Sequence, residues 1–115
     1  MTNRTYIKNL SEKVGQEVII AGWVDVRRDQ GKLVFMDMRD MTGKVQTVVL
    51  PNHAEAIVQV KEVRTEWVLK ITGIVNKRPE RNIKEGVVNG DIELEITGIE
   101  ILAEAAPLPF DMSDD

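Results

Sequence analysis

Apolar and polar residues alternate with a period of two through much of this chain, and that period marks strands. Residues 17–28, EVIIAGWVDVRR, are rich in β-branched side chains and lie between Gly15 and an Asp29-Gln30-Gly31 turn signal, which predicts a first strand. Residues 32–39, KLVFMDMR, predict a second strand. Val34, Met36 and Met38 fall on one face of it, and Leu33, Phe35, Asp37 and Arg39 on the other. A turn at Asp40-Met41-Thr42-Gly43 leads to a third strand at 44–50, KVQTVVL, which Pro51 ends. The short turns make these three an antiparallel meander.

The period then changes. Asn52 with Glu55 three positions on is a capping-box pattern, and Ala56, Ile57, Val60, Val63 and Arg64 recur at helical spacing, which predicts one helix over 52–64. Strand character returns at 66–78, with Gly73 as a bend or bulge, and a polar loop follows from Pro79 to Gly90. The last strand, 91–102, turns Ile92, Leu94 and Ile96 inward and Asp91, Glu93, Glu95 and Thr97 outward. Pro107-Leu108-Pro109-Phe110 reads as an extended exit. The division is a domain over 1–105 and an exit segment over 106–115. Five long, glycine-bent strands with one helix between the third and fourth predict an all-β, five-stranded Greek-key barrel of the OB-fold type. An open five-stranded sheet with one covering helix is the alternative.

Composition narrows the chemistry. At 115 residues, with 43% hydrophobic and 30% charged side chains, the chain is one domain's worth of core. It has no cysteine, one histidine (His53) and two serines (Ser11 and Ser113), which leaves no thiol chemistry, no Ser-His-Asp triad and no metal site to expect. No apolar run approaches the ~18 residues of a membrane span, and the N-terminus lacks a signal-peptide core, so a cytoplasmic location is expected. The net charge of −4 is unevenly spread. Residues 91–115 hold eight acids and no Lys or Arg, so the preceding body is net basic.

The outward positions carry the candidate chemistry. Phe35 stands on the polar side of its strand; it either packs beneath a loop or the helix, or offers a stacking platform to a base. Gln46 shares a face with Lys44 and Val48, and its amide can donate and accept along a base edge, although a lone strand glutamine is more often just solvated. Arg27, Arg28 and Lys32 surround the first hairpin, and Lys77, Arg78, Arg81 and Lys84 the loop between the last two strands. In an OB-fold these loops flank the binding groove, which gives cations for phosphates and flat groups for bases. Glu93 beside such a groove can accept from an exocyclic amino group, or be one of several solvated acids on an edge strand. Asp37 and Asp40, in the company of Arg28 and Arg39, read as salt-bridged hairpin ends rather than as an acid–base pair.

The blocks GWVDVRRDQGKLVFMDMRDMTGKVQTVV, KITGIVNKRPERN and GDIELEI, with the exit PLPFDMSDD, closely resemble the N-terminal anticodon-binding domain of bacterial aspartyl-tRNA synthetases, within the aspartyl/asparaginyl/lysyl subgroup. The resemblance implies an OB-fold that binds the anticodon loop of aspartate tRNA, or also of asparagine tRNA. It implies that Phe35 stacks on the uracil at the middle anticodon position and Gln46 hydrogen-bonds it. Glu93 would read flanking bases, and Arg28 and Arg78 would hold the loop. Gln30 departs from the family habit of an apolar residue or histidine. Its loop, with the Arg81 region, is where members that accept one tRNA differ from those that accept both. The resemblance further implies a full-length homodimeric ligase using ATP and Mg²⁺, with catalysis outside these residues. This chain is therefore expected to be a monomeric recognition module with no catalytic residues and no cofactor. The rival readings are a general single-strand-binding OB module and a protein-interaction domain using the acidic last strand.

Overall fold

The protein is described here by a computed structural model, in which residues 4–79 and 89–104 are described. Its strands are β1 (Glu17–Gln30), β2 (Leu33–Asp40), β3 (Gly43–Val49), β4 (Val68–Lys77) and β5 (Ile92–Ala103); a helix α1 (Ala54–Val60) stands between β3 and β4. They close into a barrel in the order β1-β2-β3-β5-β4. This is the OB-fold expected from the strand order, and it excludes the open sheet. Every neighbouring pair is antiparallel except β3 with β5, which run parallel and pair through Thr47↔Leu94 and Val48↔Glu95. Because β5 has β3 on one side and β4 on the other, Glu93 is not on an edge strand.

The period-two faces sort as the sequence requires. Met36 and Met38 of β2, Val45 and Val49 of β3, and Ile92, Leu94 and Ile96 of β5 fill the barrel, while Phe35, Asp37, Gln46, Glu93 and Glu95 on the alternate faces remain partly exposed. Thr47 is the polar exception inside, and its hydroxyl donates to the Met36 carbonyl at 2.8 Å. The register of β4 with β5 shifts between Thr72 and Gly73, which is the irregularity expected at that glycine. A Cβ on Gly73 would lie 2.6 Å from the Glu95 carbonyl oxygen, so only glycine lets the two backbones come this close.

Two local elements differ from the sequence reading. A 3-10 helix over Ile7–Lys13 plugs one region of the core with Ile7 and Leu10. Its polar segment gives no period to detect. The Asp40 carboxylate accepts from the Ile7 amide at 3.0 Å, from the Thr42 and Gly43 amides and from the Thr42 hydroxyl, so it organises the β2–β3 turn instead of meeting an arginine. The helix α1 has seven residues, well short of the span 52–64. His53, not Asn52, occupies the N-cap position and makes no side-chain cap. At the other end the Arg27 guanidinium donates to the carbonyls of Val60 and Val63, taking up acceptors that a continuing helix would have used.

Candidate nucleic-acid interface

The outer face of β1, β2, β3 and β5 carries a connected set of polar side chains beside one aromatic ring. Cross-strand register puts Arg28 opposite Phe35, Phe35 opposite Val48, and Asp37 opposite Gln46. The Arg28 guanidinium donates to Asp37 at 3.2 and 3.4 Å and to Gln46 Oε1 at 3.3 Å. The Gln46 amide then donates through Nε2 to Glu93 Oε2 at 2.5 Å. Arg28, Gln46 and Glu93, named separately from the sequence, thus form one hydrogen-bonded chain across four strands. Phe35 lies beside it, half-buried, opposite Val48, which is buried at 4% exposure.

Such a set has the chemistry that an unpaired base would meet. A partly exposed aromatic ring can stack on a base, while an amide fixed between a cation and a carboxylate has its orientation decided before any ligand arrives. The Asp37 pairing expected at the hairpin is present, with Arg28 as its partner. Arg78 is half-buried where β4 ends. Its Nε donates to the Ile92 carbonyl at 2.8 Å, which holds the guanidinium one residue from Glu93. Gln30 ends β1 at the exposed tip of the first hairpin. Arg81 and Lys84 lie outside the described residues.

Arg27 corrects the basic-cluster reading. It pairs with Asp29 at 2.8 Å and otherwise faces the end of α1, so its charge serves the fold and not the outer face. Hydrogen bonding from Arg27 holds the Asp29 carboxyl below the usual range, although Asp29 itself is largely exposed. Arg39 reaches Asp25 at 3.7 Å.

The structure also brings together three side chains that sequence reasoning did not group. His53 Nε2 lies 2.6 Å from Glu95 Oε2, and Asn76 Nδ2 donates to Glu95 Oε1 at 3.0 Å. The bond from His53, then that from Asn76, lowers the Glu95 pKa against the opposing effect of burial, so Glu95 is a carboxylate at neutral pH. The only available signal was the outward phase of Glu95; its partners are 42 and 19 residues away. Among the described residues no three His, Cys, Asp or Glu side chains are arranged to hold a metal ion, and no helix is long and apolar enough to cross a membrane.

A model of the tRNA anticodon family, OB-fold nucleic-acid-binding domains, matches residues 18–102, which takes in all five strands but the first residue of β1 and the last of β5. The chain belongs to this family. The anticodon-type OB domain is 42% identical over 103 residues to an aspartate–tRNA(Asp/Asn) ligase of Corynebacterium glutamicum, covering 90% of this chain and 17% of that protein. It is 44% identical over 103 residues to an aspartate–tRNA ligase of Geobacillus kaustophilus, covering 89% of this chain and 18% of that protein. The chain therefore spans under a fifth of the length of these curated relatives, and what it matches in them is the anticodon-binding OB domain, apart from their catalytic part. Among solved structures, an aspartyl-tRNA synthetase from Entamoeba histolytica superposes with a TM-score of 0.78 at 26% identity, over 98% of this chain and 24% of that one.

Proposed function

We propose that this domain recognises the anticodon loop of tRNA for an aspartate–tRNA ligase. The observation that carries the reading is the Phe35 ring set beside the Arg28–Gln46–Glu93 chain, on a face of the barrel that joins an aromatic ring to an ordered amide and carboxylate. In this reading Phe35 stacks on the middle anticodon base, Gln46 satisfies that base's edge, and Glu93 accepts from an amino group on a flanking base. Arg28 and Arg78 meet the backbone, and the excess of cations over acids in residues 1–90 draws the RNA in. Aminoacylation with ATP and Mg²⁺ belongs to the remainder of a longer, homodimeric ligase. The domain alone is a monomer that needs no cofactor and works in the cytoplasm.

Whether one or two tRNAs are accepted turns on the third anticodon base. We assign that choice to Gln30, exposed at the first hairpin, and to Arg81. The curated relatives carry both specificities in their names, which makes the question a live one for this chain.

The test is a titration of the full chain with a labelled anticodon stem-loop carrying uracil at the middle position. Phe35→Ala should weaken binding by about 1–3 kcal/mol. Replacing the middle uracil alone should weaken the parent chain by a comparable amount. A general single-strand binder would lose affinity with Phe35→Ala yet tolerate the base change. An unchanged binding constant for Phe35→Ala would defeat the stacking role.

A further inference from the structure

The register across β2, β3 and β5 sets Glu95 in line with Phe35, because Phe35 is opposite Val48 and Val48 is opposite Glu95. The row holding Gln46 and Glu93 lies two residues along the same strands, a step of about 6.6 Å. The apolar pair of half-buried Phe35 and buried Val48 is therefore bounded by two carboxylates on one strand, Glu93 diagonally and Glu95 straight across.

These two carboxylates are held differently. Glu93 is committed to the Gln46 amide, inside the chain that leads to Arg28. Glu95 is held instead by His53, from the loop that opens α1, and by Asn76 of β4, the strand on the other side of β5 from β3. Each of its oxygens takes one donor, and each has a second lone pair left over. The side chain is 20% exposed, so it still reaches solvent on the same face as the ring. A surface tie between α1 and the barrel does not by itself require an accessible carboxylate in the row of the stacking ring.

We propose that Glu95, oriented by His53 and Asn76, forms a second base-reading subsite, which accepts a hydrogen bond from an amino-bearing base next to the one stacked on Phe35. The inference rests on the anticodon reading above and extends it. An ionised carboxylate only accepts, so it favours the amino-bearing edges of cytosine, adenine or guanine over uracil, which has no amino group and whose one donor, N3–H, is flanked by two carbonyl oxygens that repel the carboxylate. Glu93 and Glu95 then divide the two flanking bases between them. His53 and Asn76 are positioning residues that hold the acceptor in the row of Phe35 and Val48.

The experiment uses RNA stem-loops with uracil at the middle anticodon position and cytosine or uracil placed in turn at each flanking anticodon position, titrated against the full chain by fluorescence anisotropy. At one flank the parent chain should prefer cytosine by about 5- to 100-fold. Glu95→Gln, whose amide donates as well as accepts, should bring that ratio to within about twofold of unity, and Glu93→Gln should leave it standing. His53→Ala should lower the same ratio, and His53→Gln, which keeps a donor, should restore part of it. Melting curves of each variant separate lost selectivity from lost folding. The subsite is refuted if Glu95→Gln leaves both flank ratios as in the parent, or flattens only the flank that Glu93→Gln flattens. If Phe35→Ala leaves every loop bound as before, the anticodon reading fails and the subsite falls with it. If Phe35→Ala weakens binding while Glu95→Gln changes nothing, only the subsite is lost.

Discussion

Arg27 and Arg28 are consecutive on β1 and so point to opposite faces, and replacing each with methionine should give crossed phenotypes. Methionine keeps most of the stem and removes the charged head. Arg27 loses two charge-assisted bonds to the Val60 and Val63 carbonyls from a side chain that is only 19% exposed. Each such bond contributes about 1.5–3 kcal/mol, and partial rehydration of the freed carbonyls brings the net loss to about 2–3 kcal/mol. The Arg27–Asp29 contact adds little, because Asp29 is 62% exposed and surface pairs contribute about 0–1 kcal/mol. For a domain near this size, about 4 °C of melting temperature follows each kcal/mol, so Arg27→Met should melt about 8–12 °C lower. Arg28 is 37% exposed and joins Asp37 at 3.2 Å, so Arg28→Met should cost about 0–1 kcal/mol of stability. Its effect should appear in RNA binding, with the salt slope reduced by about 0.7 for one lost phosphate contact to a single strand. Calorimetry and anisotropy titrations at several salt concentrations read both columns. The division of labour is refuted if Arg28→Met melts below Arg27→Met, or if Arg27→Met weakens RNA binding at a temperature where it is fully folded.

Three further outcomes are expected. Gly73→Ala should lose about 1–3 kcal/mol in urea unfolding, since the new methyl would sit 2.6 Å from the Glu95 carbonyl oxygen and 2.9 Å from Leu94 Cγ; an unchanged midpoint would show that β4 and β5 can part there freely. The Glu95 pKa is depressed on folding, so its contribution is fully present above the ordinary value of 4.5 and is lost as pH falls through the lower folded value. The stability gap between the parent and Glu95→Gln should accordingly narrow as pH falls below 4.5, as read from urea midpoints; a gap that does not narrow there would contradict the His53 and Asn76 bonds as its source. Aspartate-dependent ATP–pyrophosphate exchange by the chain alone should read background, and exchange above it would place catalysis in this domain after all.

What the sequence made legible was whatever a period of two controls. The split of β2 into Met36 and Met38 against Phe35 and Asp37 was visible because one face must be dry, and β3 and β5 sorted Gln46 and Glu93 by the same logic. Gly73 was visible as a break within a strand. The partners were not visible. Arg27 looked like its neighbour Arg28 until the carbonyls of Val60 and Val63, more than thirty residues on, were seen to claim it. The short α1 hid behind a capping-box pattern because His53 is drawn toward Glu95, a long-range contact that no local rule encodes. The 3-10 helix carries only Ile7 and Leu10 into the core, too few apolar positions to announce itself.

The barrel closes through a parallel seam only two residue pairs long, Thr47 with Leu94 and Val48 with Glu95. The Gln46–Glu93 bond crosses the same junction on the outside. A ligand that grips both side chains therefore acts as a clasp on the cylinder, and its grip and the tightness of the wall rise together. On the proposed reading, recognition at this face would also be a form of mechanical closure, with the RNA as the extra stitch that the shortest join in the wall lacks.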